Sequence, residues 1–119
     1  MRFFMYTLGD ENVPVPPPTP ELMAEMGQFV EEATKSGALL ATGGLAPTSQ
    51  GVKVQYSGSS FTVTDGPFTE AKELIGGWAL VQVASKEEAV AWAKRFLRIV
   101  GGGESRIRQV FGQEDFGPG

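Results

Sequence analysis

Apolar and polar positions alternate along much of this chain, and the pattern predicts a series of strands interrupted by two helices. The expected strands cover residues 2–8, 39–45, 52–56, 61–64, 78–83 and 106–111. The first of these runs and the run 78–83 are apolar at both phases of the alternation, so both faces of these strands should need cover from water. The runs on either side of Ser57-Gly58-Ser59 are expected to form a hairpin.

The first helix is predicted to begin at Thr19 and Pro20, because threonine is a good N-cap and proline suits the first helical position. Apolar residues then recur at helical spacing in one stripe: Leu22, Met26, Phe29, Val30 and Ala33. Gly37 is expected to end the helix with a left-handed C-cap. The stripe should face the core.

The second helix is predicted from a capping box, with Ser85 at the cap and Glu88 three residues later. Its buried face should consist of Ala89, Trp92, Ala93, Phe96, Leu97 and Val100. The glycine triplet 101–103 should end this helix. It is not expected to bind phosphate, because it follows a helix instead of preceding one.

The order of these elements is typical of a ferredoxin-like α+β fold with the plan β-α-β-(hairpin)-β-α-β and an antiparallel sheet. At 119 residues, a single domain spanning residues 1–119 is expected. Two helices cover only one face of such a sheet. Because the other face also carries apolar residues, we expect a second copy to cover it in a homodimer.

Composition removes several classes of function. The chain contains no histidine and no cysteine, which excludes a Ser-His-Asp triad, a zinc site with histidine or thiolate ligands, and a thiol nucleophile. The net charge of -4 argues against nucleic-acid binding, and no apolar run approaches the ~18 residues of a membrane span. The sequence therefore predicts a cytoplasmic protein with no metal site, cofactor, nucleic-acid partner or membrane contact.

A sharp corner is predicted where Asp65-Gly66-Pro67 follows the hairpin. Asp65 is the candidate catalytic residue, because a carboxylate at a strand end that faces a cleft can act as a general base. The alternative is structural. An aspartate beside glycine commonly accepts backbone N–H bonds in a turn, which would stabilise the corner instead of activating the carboxylate.

Four further residues are candidates for ligand binding. Arg106 and Arg108 are two positions apart in the last strand and should project from one face, where they could hold an anion. Solvated arginines on an edge strand are the alternative, and an Arg108 that approached Asp65 would form a structural ion pair. Tyr6 and Tyr56 could offer hydroxyls to a pocket or pack with only their tips exposed.

The segment from Val63 to Leu74, with Asp65-Gly66-Pro67-Phe68 at its centre, resembles the YCII-related family and specifically its DGPF-motif branch. The order and spacing of further matching segments extend over nearly the whole chain. These segments are Gln82-Val83, Glu87-Glu88-Ala89, Gly103-Glu104-Ser105, Ile107-Arg108-Gln109-Val110-Phe111 and Glu114-Asp115-Phe116-Gly117.

The resemblance implies a dimeric α+β barrel, in which two ferredoxin-like sheets face each other and sites lie between sheet and helices or near the dimer seam. It also implies that some relatives are enzymes with a His-Asp pair, while others are associated with extracytoplasmic-function sigma factors. The chain departs from this pattern. It has no histidine, Gly43 stands where branch members often carry glutamate, and Ala79 and Val81 stand where they tend to have aromatic residues. Only the aspartate of the pair, Asp65, carries over.

Two functions are therefore open. The first, which the sequence favours slightly, is the binding of a small molecule in a cleft near the Asp65 corner, as a binder more than as a catalyst. A weak enzyme, or one whose activity has been lost, is the catalytic form of this hypothesis. The alternative is a protein-interaction or regulatory module associated with sigma-factor-dependent transcription. For that alternative, the proline-rich segment 13–18 and the segment 111–116 are the candidate contact surfaces.

Overall fold

The structure is a computed structural model and describes residues 1–9, 16–67 and 74–112. Its elements follow the predicted order. The strands are β1 (Arg2–Gly9), β2 (Leu39–Gly44), β3 (Val52–Ser57), β4 (Ser60–Asp65), β5 (Leu74–Gln82) and β6 (Ser105–Val110). The helices are α1 (Pro20–Lys35) and α2 (Lys86–Val100), and a 3-10 turn covers Thr48–Gln50.

Four strands form an antiparallel sheet in the order β2-β5-β1-β6. β1 lies between two strands that come late in the chain: Phe3 pairs with Val81 on one side and with Gln109 on the other. Helix α1 connects β1 to β2, and α2 connects β5 to β6. The predicted ferredoxin-like α+β fold is confirmed.

Local signals determine where the helices begin and end. The Thr19 hydroxyl accepts a hydrogen bond from the Leu22 N–H at 3.1 Å, and the Ser85 hydroxyl accepts one from the Glu88 N–H at 3.1 Å. Gly101 ends α2 in the left-handed region, with φ of 88°. Because the helices start in the predicted register, their apolar stripes face the sheet.

The core lies between the helices and one face of the sheet. Its buried residues in the described ranges are Phe3, Met5, Ala33, Ala38, Val81, Val83, Ala89 and Ala93. The helices contribute only alanines to this set. Val100 is 38% exposed, so its predicted place on the buried face of α2 is wrong.

The opposite face of the sheet is also apolar. Strand register places Phe4 opposite Leu80 and Tyr6 opposite Trp78. The Phe4 ring centroid lies 5.6 Å from that of Tyr6 and 5.9 Å from that of Trp78. We call these four residues the open-face cluster, because alternation along β1 turns them away from the core that α1 and α2 cover.

Strands β3 and β4 form a separate two-stranded sheet in which every residue is exposed. Gly58 and Ser59 have φ of 58° and 72°, as a two-residue type I′ turn requires. Strand register collects the apolar side chains on one side of this ribbon. We call that side the hairpin apolar face; its members are Val52, Val54, Tyr56, Phe61 and Val63.

Arg95 on α2 joins the two helices. Its guanidinium carbon lies 5.1 Å from the Phe29 ring centroid and 5.0 Å from that of Trp92. The guanidinium also donates a hydrogen bond to the Glu32 carboxylate. This hydrogen bond lowers the pKa of Glu32 below its ordinary value of 4.5. The contact therefore favours the ionised form of Glu32 in the folded state.

The lowered pKa of Glu32 predicts a pH-dependent contribution to stability. A depressed folded-state pKa stabilises the fold above the unfolded-state pKa, and the effect is lost as the pH falls through the folded-state pKa. We expect Glu32→Gln to lower the Tm modestly near neutral pH and to match the wild type in strong acid. Thermal unfolding at both pH values measures this.

The matched control is Glu31→Gln, at the adjacent position. Glu31 forms an exposed ion pair with Lys35 within α1, at 2.8 Å, and such pairs contribute little to stability. A Glu32→Gln variant that lost the same Tm in acid as at neutral pH would contradict the assignment.

Candidate functional site

A cavity of about 150 Å³ lies between the sheet and the two helices. The predicted apolar stripes of α1 and α2 form its walls. The larger residues that line it come from the sheet and from both helices: Met5, Tyr6, Trp78, Met26, Phe29, Trp92 and Phe96. The cavity therefore offers aromatic rings and thioethers to whatever occupies it.

Small side chains create this space. Ala33 on α1, Ala93 on α2, Ala79 on β5 and Ala38 all line the cavity. Three of them, Ala33, Ala38 and Ala93, are 5–7% exposed. Protein interiors are normally packed to high density, so alanine at several facing positions leaves room that a larger side chain would fill.

The described lining residues carry hydroxyls and two indole N–H groups, and two of the hydroxyls are engaged by the backbone. The Thr7 hydroxyl accepts a hydrogen bond from the Gly77 N–H at 3.0 Å. The Thr42 hydroxyl donates to the Trp78 carbonyl at 2.8 Å. None of the described lining residues carries a formal charge. The cavity can hold an apolar group, and its described lining offers no carboxylate or amine for proton transfer.

Gly43 allows Trp78 to lie close to strand β2. The two residues pair across β2 and β5, and a β-carbon at position 43 would lie 3.1 Å from the indole Nε1 atom. A glutamate at position 43, which members of the DGPF branch often carry, would require Trp78 to move. This packing explains why glycine suits position 43.

The structure brings three of the predicted site residues together. Strand register places Arg106 opposite Tyr6 and Arg108 opposite Phe4, so both arginines border the open-face cluster. Arg106 also donates a hydrogen bond to Glu104 at 2.6 Å. Tyr6 additionally lines the cavity, whereas the two arginines do not.

Tyr56 and Asp65 lie elsewhere, in the hairpin. Tyr56 packs against Phe61, with ring centroids 4.7 Å apart. Asp65 ends β4 opposite Val52, on the same side of the ribbon as the hairpin apolar face. Its side chain is exposed and does not line the cavity. Its roles as a base or as a turn former stay predictions.

Gly66 is required by a close approach at the corner. Its N–H donates to the Gly51 carbonyl at 2.9 Å. A β-carbon at position 66 would overlap the Thr48 carbonyl oxygen. The glycine of the motif thus joins the base of the hairpin to the 3-10 turn, a role that the motif alone does not reveal.

The expected absence of a metal site and of a membrane-spanning helix can be examined only in the described residues. Within residues 1–9, 16–67 and 74–112, no group of three or more acidic residues is placed to hold a metal ion. No helix among them is long and apolar enough to cross a membrane. Half of the proline-rich segment 13–18 and most of the segment 111–116 lie outside the described residues.

Comparison with protein families shows to which family the chain belongs. A model of the YCII-related domain matches residues 1–111. The chain belongs to the YCII-related family. An uncharacterized protein of Rhizobium meliloti (strain 1021) is 30% identical to this YCII-related domain over 73 residues, which are 61% of this chain and 59% of that protein. The family resemblance is confirmed, and the DGPF branch stays a prediction.

The close approach at Gly66 predicts the effect of adding a methyl group. We expect Gly66→Ala to open the base of the hairpin, because the methyl would overlap the Thr48 carbonyl oxygen. Amide hydrogen exchange in β3 and β4 should become at least about tenfold faster, a loss of about 1.4 kcal/mol in local opening free energy. Exchange in β1 should not change.

Gly9→Ala is the matched control, because nothing lies within 4 Å of a β-carbon added at Gly9. Unchanged exchange in the hairpin of the Gly66→Ala variant would show that this corner does not hold the hairpin.

Proposed function

We propose that this YCII-related domain binds a small, largely apolar molecule in the cavity between the sheet and the helices. The observation that supports this is a partly open cavity of about 150 Å³ lined mainly by aromatic and aliphatic side chains. An apolar cavity of roughly this size can bind a single aromatic ring. A larger ligand would have to extend through the rim.

The lining favours an aromatic ligand. Met5 and Met26 place thioether sulfurs at the cavity, and methionine sulfur makes favourable contacts with aromatic rings. Phe29 and Trp92 offer edges and faces for ring packing. Ser105 adds a hydroxyl at the boundary that could accept or donate one hydrogen bond. The proposed ligand is therefore a ring with at most one small polar substituent.

Binding is favoured over catalysis by what surrounds the cavity. A general base must lie within hydrogen-bond distance of the proton that it removes. The exposed Asp65 carboxylate is not part of the lining, and the chain has no histidine. We therefore propose that the ligand binds in the cavity and not at the Asp65 corner. Asp65 has no part in this binding site.

We further propose that the domain acts as a homodimer in which each copy covers the open-face cluster of the other. The support is the apolar character of both faces of β1. The alternative function, a protein-interaction module in sigma-factor-dependent transcription, has general support from the exposed hairpin apolar face. That face requires a protein contact but carries no chemistry specific to a sigma factor.

The cavity proposal is tested by filling the cavity. Benzene and indole should raise the wild-type Tm with increasing concentration, because a ligand that binds only the folded state stabilises it. We expect Ala33→Leu to abolish this rise, since the larger side chain would occupy the ligand's space. The variant without ligand should be as stable as the wild type or more stable by about 0.5–2 kcal/mol.

Ala24→Leu is the matched control, because Ala24 is an exposed residue of α1 outside the cavity. It should bind both probes as the wild type does. An equal rise in Tm for wild type and Ala33→Leu would place binding elsewhere, and no rise in the wild type would overturn the proposed function.

A further inference from the structure

We infer that the β3–β4 hairpin is an arm that packs its apolar face on the open face of a second copy of this chain, with Asp65 of one copy paired to Arg108 of the other. This inference rests on the homodimer of the proposed function and is independent of the ligand cavity. It assigns Asp65 a role in assembly.

The hairpin needs a partner because its own chain does not bury it. An isolated two-stranded hairpin is at best marginally stable in water. The side chains of its apolar face are 54–70% exposed, while Lys53, Gln55, Thr62 and Thr64 occupy the opposite side. Such strict alternation specifies one solvated face and one buried face. In a single copy the apolar face, which should be buried, is uncovered.

The two surfaces match in size. The hairpin apolar face is three residue pairs long, from Val52 opposite Asp65 to Tyr56 opposite Phe61, or roughly 13 Å, and two strands wide. The open-face cluster spans two residue pairs of β1 and β5, and the bordering strand β6 extends this surface to roughly 10 Å across the strands. A hairpin laid across the strands would cover the aromatic rings and end beside β6.

The two surfaces also match in charge. Asp65 is the one charged side chain on the apolar side of the hairpin. Arg108 lies at the border of the open-face cluster and is exposed, and its guanidinium forms no hydrogen bond or ion pair with the other described residues. An arginine and a carboxylate can pair through two hydrogen bonds. Such a pair at the edge of an apolar contact sets the register of the arm on its partner.

The available area is sufficient for a stable dimer. With aromatic side chains of roughly 150–250 Å² each, the exposed hairpin apolar face amounts to something on the order of 500 Å². One such patch falls short of a standard interface. Two hairpins and the two surfaces that they cover bring the buried total to roughly 1,600 Å², the size of a standard interface.

Cysteine cross-linking tests the contact directly, because the chain has no cysteine of its own. Asp65→Cys is mixed with Arg108→Cys under mild oxidation, and the linked peptides are identified by mass spectrometry. We expect a disulfide between the two variants. Since each chain carries one cysteine, a hairpin that folded back on its own sheet would give no such product and would overturn the inference.

Thr64→Cys mixed with Arg108→Cys is the matched control. Thr64 is adjacent to Asp65 but lies on the polar side of the hairpin, so we expect little cross-linking. Equal yields from the two mixtures would show random collision and would also overturn the inference.

Charge reversal supplies a second test. Asp65→Arg and Arg108→Asp should each raise the dimer Kd by about tenfold or more, measured by light scattering over a dilution series. Combining the two substitutions should restore the Kd, whereas Thr64→Arg should leave it unchanged. Failure of the combined variant to restore the Kd would contradict the Asp65–Arg108 pair.

The outcomes separate the proposals. A wild type that is monomeric at every concentration would overturn both the arm and the homodimer, while benzene binding would still test the cavity. A dimeric wild type that neither cross-links from position 65 to 108 nor responds to charge reversal would overturn the arm alone.

Discussion

Strand β1 places large apolar side chains on both faces of the sheet, and the rest of the structure depends on how these two faces are covered. Phe3 and Met5 lie beneath the helices, and Met5 contributes to the cavity there. Phe4 and Tyr6 point the other way and join the open-face cluster. A single strand thus supplies both the proposed ligand site and the surface for which we propose a second copy. Tyr6 and Trp78 belong to the open-face cluster and also line the cavity, so the two proposed functions share these residues.

Much of the fold could be predicted because its signals are local. Thr19, Ser85 and Gly101 act within a few residues of themselves, so the sequence locates the helix ends. The cavity could not be predicted, since it depends on alanines from four separate parts of the chain that meet only after folding. The position of Asp65 outside the cavity was equally hidden, because the corner is held where Gly66 packs against the Thr48 carbonyl.

Family membership supports the fold of this chain but does not establish its chemistry. The YCII-related match covers residues 1–111, yet the histidine of the enzyme-like pattern is absent, and Gly43 makes room for Trp78. A fold can host unrelated functions, so the site must be argued from its own residues. In the described part of the chain, Asp65 and Gly66 of the motif lie outside the lining of the cavity.

The position of β1 in the sheet has a consequence for the order of folding. Arg2 pairs with Val110, and the amino group of Met1 donates to the Val83 carbonyl at 2.9 Å. The hairpin, by contrast, closes between neighbours in sequence. Contacts between distant residues form slowly, and a chain is synthesised from its N-terminus. The aromatic residues of β1 are therefore the first part of the sheet to leave the ribosome and among the last to be protected. The nascent chain has to stay soluble through that interval without the sheet that will shield it.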